Sequence, residues 1–299
     1  MQAAVTTEQL LPVLIYIQSH LADDLSLEQM AGQADLSPYH FHRVFHSAVG
    51  ETLKQYTQRL RLEQAAYHLK IQDASILDIA LNAGFNNHET FSRAFKRWFG
   101  VSPRDYRESF GRALQDRSTA ARTLLNKLAT DFQLSRVTIK KLNPLPVAFI
   151  RHLGSYLTVD VSLFDRLHQW ADREGLYTGE NLFLGVGHDD PNVTPIDKVR
   201  YDLCLTVPER FRAAGEVGFQ TLSGGYFAAA DYVGPFGPTL EAAYFQMFQE
   251  MLKMKNIEII GLPAVEIYRT TNITSAYALN HTELLLPVRK KVIGNWVIR

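Results

Sequence analysis

Ten residues recur at a fixed distance. Residues 41–50 read FHRVFHSAVG and residues 91–100 read FSRAFKRWFG, so F-x-R-x-F-x-x-x-x-G is written twice, fifty positions apart. Such a duplication constrains the fold more than composition does, because both copies must build the same local structure and bury equivalent side chains. In a helix, residues three and four apart share a face. Phe41, Phe45, Ala48 and Val49 then lie together, as do Phe91, Phe95, Trp98 and Phe99. Tyr39, His42, Arg43 and His46 fall on another face. Glu89, Ser92, Arg93 and Lys96 match them fifty positions later. The spacing predicts a buried face and an exposed polar stripe in each copy. Gly50 and Gly100 suit left-handed helix ends, and Ser37-Pro38 is a helix start, with Ser as cap and Pro in the first turn.

Each copy has a predecessor. SLEQMAGQADLS and SILDIALNAGFNN each read as a capped amphipathic helix followed by a short turn, and Ser75 with Asp78 predicts a capping box. Helix, turn, helix is a unit that can lay its second helix in the major groove of DNA. Residues 52–70 join the two units and are apolar on two sides: Leu53, Tyr56, Leu60 and Tyr67 against Leu62, Ala66 and Leu69. A helix of that length spans ~28 Å, against ~34 Å for one turn of B-DNA. One chain can therefore present two reading helices to successive grooves, without a dimer. Arg pairs bidentately with guanine, and Glu accepts from cytosine. Residues 37–112 hold eleven Lys/Arg against seven Asp/Glu, a modest basic excess in a chain of net charge zero, and enough to attract phosphates locally. The alternative is a pair of ordinary solvated faces.

The stretch IALNAGFNNHETFSRAFKRWFGVSPRDYR resembles the signature of the AraC/XylS transcription regulators, and the resemblance covers residues 8–110. It implies double-stranded DNA as a partner, base contacts from Tyr39, His42, Arg43, Glu89, Ser92 and Arg93, and RNA polymerase as a further partner. His40, His46, His88 and Lys96 complete the candidate DNA-binding set. His42 and His46, one turn apart, could share a zinc ion, but no carboxylate or cysteine stands beside them. A DNA-facing stripe explains the histidines as well. No metal and no cofactor is expected.

The text changes after residue 135. VTIKKL, VAFIRHL, VRYDLCLTV, YFAAADYVG, AVEIYR and TELLLPV read as strands bounded by Gly, Pro and Asn, with two helical segments between them. The expected organisation is a DNA-binding domain at 1–112, a connecting helix at 113–134 and a second domain at 135–299. Its one cysteine, Cys204, excludes an internal disulfide framework and sits in an apolar strand, as a packed thiol does. No early basic residues precede an apolar run at the N-terminus, and no stretch reaches the ~20 apolar residues of a membrane helix. A cytoplasmic protein without a membrane partner is expected.

This half repeats too. VTIKKLNPLPVAFIRHLGSY (137–156) aligns without a gap to VGFQTLSGGYFAAADYVGPF (217–236), and DLCLTV (202–207) to ELLLPV (283–288), which sets Asp202 against Glu283. Two such arms predict pseudo-twofold symmetry with a central groove. Each carboxylate either points to solvent or faces a pocket as a counter-charge. Tyr156, Phe164, Trp170, Phe183, Tyr201, Phe236, Tyr244 and Tyr268 are the nearby aromatics, and a subset of them around one acid would suit a flat or cationic ligand.

GVGHDDPNVTPIDKVRYDLCLTV, GGYFAAADYVGPF, VEIY and TELLLPV are similar to the GyrI-like effector-binding domain over residues 135–291. The resemblance implies a multidomain chain: an all-α double helix-turn-helix domain, then an α+β GyrI-like domain of two pseudo-symmetric β-α-β-β repeats. It also implies a small-molecule effector, apolar or cationic, with Glu283 as the ligand-facing acid. The candidate ligand-binding set is Glu283, Tyr156, Phe164, Trp170, Phe183, Tyr201, Phe236 and Tyr268. MLKMKNIEI stands where the family has a Trp-Leu-Pro segment, so the pocket wall differs there. The leading expectation is a DNA-binding regulator, not an enzyme. The alternatives are hydrolysis of reactive electrophiles, with Glu283 and a Tyr polarising water, and binding of a protein in place of a ligand.

Overall fold

A computed structural model describes residues 2–109, 131–208, 211, 215–260, 263–269 and 280–291, with side chains from residue 10 onward. Two compact units divide the chain: residues 1–115 with 211–220, and residues 116–210 with 221–299.

The first unit is helical. Its elements are α1 (Gln2–Ser19), α2 (Leu27–Gln33), α3 (Pro38–Val49), α4 (Leu53–Ile71), α5 (Ile76–Asn82) and α6 (His88–Phe99), with helical residues again at 103–109. Side chains set the starts: Ser37 accepts from His40 N and Asn87 accepts from Thr90 N. Gly50 (φ 75°) and Gly100 (φ 77°) end α3 and α6 in the left-handed conformation the sequence predicts. At Ser75 only half a capping box forms. Its hydroxyl accepts from Asp78 N and donates to the Asp78 carboxylate at 2.6 Å; Asp is one methylene shorter than the Glu that reaches back to the cap N–H. The full box is at Thr52, whose N–H donates to Gln55 Oε1 at 2.9 Å.

Phe41, Phe45, Phe91 and Phe95 are fully buried, as their spacing predicts, each stabilising the unit by roughly 1.5–3 kcal/mol. Ala48 and Trp98 are not core residues. Both are exposed: they lie at the margin of the buried face, whereas Val49 and Phe99, one residue further on, are half-buried and pack on the core. The bridging helix α4 buries Leu53, Tyr56 and Leu60 on one side and Leu62, Ala66 and Leu69 on the other. Its burial extends to charge. Arg59 sits between two carboxylates, with Nη2 2.9 Å from Glu51 Oε2 and Nη1 3.2 Å from Glu63 Oε2. Burial opposes its charge, but Glu51 and Glu63 outweigh burial and hold its pKa above the ordinary arginine value.

The connecting helix expected at 113–134 lies outside the described residues up to 130. Gln133–Leu134 form β1, not helix. The elements that follow are β2 (Thr138–Leu142), β3 (Leu145–Leu153), α7 (Ser162–Arg173), β4 (Phe183–Gly187), β5 (Arg200–Thr206), β6 (Val217–Leu222), β7 (Gly225–Gly234), α8 (Pro238–Met251), β8 (Ile257–Ile259), β9 (Ala264–Tyr268) and β10 (Asn280–Lys290). One sheet runs β1-β7-β10-β9-β4-β5-β3-β6, with β2 also on β7 and β8 also on β10. Each repeat carries a strand ahead of its β-α-β-β elements, the second repeat adds β8 between α8 and β9, and β2 pairs with β7 of the other repeat. The repeats meet at β4 and β9. Phe183 faces Tyr268, Gly185 faces Glu266 and Gly187 faces Ala264. An offset of 81 carries 183–187 onto 264–268, so the pseudo-twofold axis passes between Gly185 and Glu266. β4 was absent from the predicted strands because two of its five residues are glycines, which propensity does not assign to a strand.

Candidate nucleic-acid interface and a buried acid among tyrosines

On α3, Tyr39, His40, His42, Arg43 and His46 are exposed; on α6, His88, Glu89, Arg93 and Lys96 are exposed and Ser92 is half-buried. The buried phenylalanines on the opposite side of each helix force this presentation. Arg43 lies 5.9 Å from the centre of the Tyr39 ring, and the His42 and His46 rings stack 6.5 Å apart. Among the described residues, no group of three His, Cys, Asp or Glu side chains is placed to hold a metal ion.

The second unit gathers most of the predicted aromatics, but around a different acid. Strand partners share a face of a sheet, and residues two apart return to it. Glu266, Tyr268, Phe183, Gly185 and Tyr201 therefore share one face. Both helices pack on that face. Phe164 of α7 meets Tyr268 and Phe183 at ring-centre distances of 5.3 and 5.5 Å, and Tyr244 of α8 donates to Glu266 Oε1 at 3.1 Å. Tyr268 and Tyr201 donate to Glu266 Oε2 at 2.8 and 3.1 Å, and their own hydroxyls are in direct contact. Tyr156 lies against Tyr201, and Phe236 against Tyr268. A Cβ at Gly185 would collide with the Tyr201 and Tyr268 hydroxyls. Glycine on one side of the axis makes room for the phenols that hold the carboxylate on the other.

Burial dominates the electrostatics of Glu266. It pushes the carboxyl pKa up, against the three phenol donors. Burial and the neighbouring carboxylate raise Tyr201, Tyr244 and Tyr268 well above the usual phenol value. No Lys, Arg or His pairs with Glu266 among the described residues. Phe164, Phe183, Tyr156, Phe236 and Tyr244 are only half-buried, so the rings rim a carboxylate that lacks a counter-cation.

Glu283, expected to be the ligand-facing acid, is not at this place. It points to the other face of the sheet and is held by Lys140 Nζ at 2.7 Å and Arg269 Nη2 at 2.6 Å. Asp202 is its counterpart in the first repeat: fully buried, accepting from Arg151 Nε at 2.6 Å and His188 Nε2 at 2.7 Å. The offset of 81 maps His188 onto Arg269 as well as Asp202 onto Glu283. The two acids are thus one structural device written twice: two cations hold Glu283, while the Arg151 cation and the His188 imidazole, whose own pKa burial pushes down, hold Asp202. Burial pushes the Asp202 pKa up, but Arg151 and His188 outweigh it and hold it well below the carboxylate range. Trp170, six residues beyond Phe164, lies about 120° round α7 from it and half-buried. Extending the repeat alignment to FLGVG and AVEIY was the signal that could have singled out Glu266, because it sets an acid against a glycine on the axis.

Residues 30–109 match the helix-turn-helix domain family, and residues 135–289 match the GyrI-like small molecule binding domain. The chain belongs to the GyrI-like family. Its N-terminal region is an AraC-type helix-turn-helix domain. The chain is 38% identical over 97 residues to the right origin-binding protein of Escherichia coli K12, covering 32% of this chain and 34% of that protein. It is 35% identical over 97 residues to the HTH-type transcriptional activator AarP of Providencia stuartii, covering 32% of this chain and 72% of that one. The match thus spans about a third of the right origin-binding protein. Among solved structures, the DNA-binding domain of AdpA in complex with a target DNA is similar at 30% identity and TM-score 0.33, over 34% of this chain and 91% of that one. The EcmrR C-terminal domain is similar at 19% identity and TM-score 0.40, over 54% of this chain and 99% of that one. No helix among the described residues is long and apolar enough to cross a membrane.

Proposed function

We propose that the protein is a sequence-specific DNA-binding transcription regulator whose GyrI-like domain holds an apolar cation against Glu266. For DNA, the reading rests on the two matched helices whose exposed faces carry Arg43 and Arg93 at the same helical position. Tyr39, His40, His42 and His46 face one half-site and His88, Glu89, Ser92 and Lys96 the other. Because these sets differ, the site is asymmetric. Double-stranded DNA is the partner, a monomer suffices to read both half-sites, and RNA polymerase is the further partner. For the effector, the carrying observation is the unneutralised carboxylate among half-buried rings. A cation there gains a counter-charge and aromatic faces together.

The DNA reading is tested by gel shift with a duplex that the chain selects from a random pool. Arg43→Ala and Arg93→Ala should each lose about 1–3 kcal/mol of discrimination at one base pair, at different half-sites. Unchanged binding by both variants refutes the contact assignment.

The hydroxyls of Tyr201 and Tyr268 in contact at Glu266 favour one second reading: a proton-accepting site that hydrolyses an electrophile. Turnover of an epoxide or activated ester by the full chain, abolished in Glu266→Gln, would establish it.

A further inference from the structure

One polar junction in the first unit is required by no helix face. Arg61 projects from α4. Its Nε donates to Leu21 O at 2.7 Å and its Nη2 donates to Asp23 O at 2.7 Å. Those carbonyls belong to the loop that leads into α2 and α3, the first helix-turn-helix pair. The same guanidinium meets Gly84, in the turn between α5 and α6 of the second pair. Gly84 has φ +75°, and a Cβ there would lie 2.9 Å from Arg61 Cζ and Nε and 2.9 Å from Leu21 O. Its backbone region and its lack of a side chain are therefore both used. The lead-in loop of the first pair, the bridging helix and the turn of the second pair converge on one planar, five-donor group.

We propose that Arg61 and Gly84 form a clamp that fixes the separation of the two recognition helices, and so the spacing of the two half-sites the protein accepts. The inference rests on the reading that α3 and α6 both enter major grooves. The apolar contacts by which each pair packs on α4 are not directional. The guanidinium adds directional bonds from α4 to the first pair's loop, and Gly84 of the other pair's turn packs directly against it. Two linked modules gain avidity only when their geometry lets both engage at once. A clamp that holds that geometry therefore sets a spacing rule. Arg61 is outside both reading faces and acts as a positioning residue.

Gel-shift titrations of the full-length chain, Arg61→Gln, Arg61→Lys and Gly84→Ala test this on four duplexes. These are a site selected from a random pool by the wild-type chain, the same site with one base pair inserted between half-sites, and each half-site alone. The insertion moves one half-site by about 3.4 Å and turns it by about 34°. Wild type should lose on the order of 100-fold on insertion. Arg61→Gln should keep half-site affinity within about twofold, lose about tenfold on the intact site, and show an insertion penalty below about threefold. Arg61→Lys, which keeps the charge without the fork, should fall between. Gly84→Ala should relax the spacing rule with Arg61 in place. Equal losses on half-sites and intact site, or an unchanged insertion penalty, would overturn the clamp. A wild-type footprint confined to one groove would overturn the two-groove reading and the clamp with it.

Discussion

Glu266→Gln changes one charge and almost no volume, which makes it an informative perturbation of the aromatic site. The carboxylate accepts from Tyr268, Tyr201 and Tyr244 at 2.8, 3.1 and 3.1 Å, yet burial still raises its pKa. The folded chain thus binds this proton more tightly than the unfolded chain. The resulting stability is fully present below the unfolded value of ~4.3 and is lost as pH rises through the raised folded value. Glu266→Gln removes the ionisation, so it should be at least as stable as wild type at pH 7.5 and should vary less with pH above ~4.3. Affinity for a cation should move oppositely. It should rise with pH as Glu266 ionises, and the variant should lose about 2–5 kcal/mol, at least on the order of 30-fold in Kd. Thermal melts from pH 5 to pH 8, with and without a benzyl quaternary ammonium probe, read both effects; calorimetry gives the affinity. A variant that is clearly less stable than wild type at pH 7.5, or that binds the probe equally well, would refute the reasoning.

Three further perturbations separate structural charges from that site. Arg59→Met removes the cation that buried Glu51 and Glu63 share and should destabilise the first unit by about 3–5 kcal/mol. Urea unfolding checks this, and a loss below ~1 kcal/mol would contradict it. Asp202→Asn removes the anion between Arg151 and His188 and should cost about 3–5 kcal/mol at pH 7. Glu283→Gln should cost about 1 kcal/mol or less, because Lys140 and Arg269 are 40% and 38% exposed. The stability from Asp202 exists above its unfolded pKa of ~3.9 and is lost as pH falls toward its depressed folded value. Equal costs for the two variants in the same assay would refute this ranking.

The sequence by itself determined the reading helices. Phe41, Phe45, Phe91 and Phe95 are buried and their polar neighbours exposed because helical period is a local property, and a pattern repeated at fifty positions leaves little freedom of phase. The capping serines and the stop glycines were legible for the same reason. Period did not reveal where the buried face has its edge, so Ala48 and Trp98 were misplaced. In the second unit, the repeat of strands was legible, but the choice between Glu283 and Glu266 was not. Both acids lie in apolar strands, and alternation within a strand does not say which face meets the helices. That depends on register across β4, β9 and β10, and on which donors arrive from elsewhere in the chain: the Lys140 cation on Glu283, and the Arg151 cation and the His188 imidazole on Asp202. Only the tertiary structure neutralised two of the three carboxylates and left Glu266 among phenols at the pseudo-twofold axis, because ion pairing is set by proximity in space and not by position in a pattern.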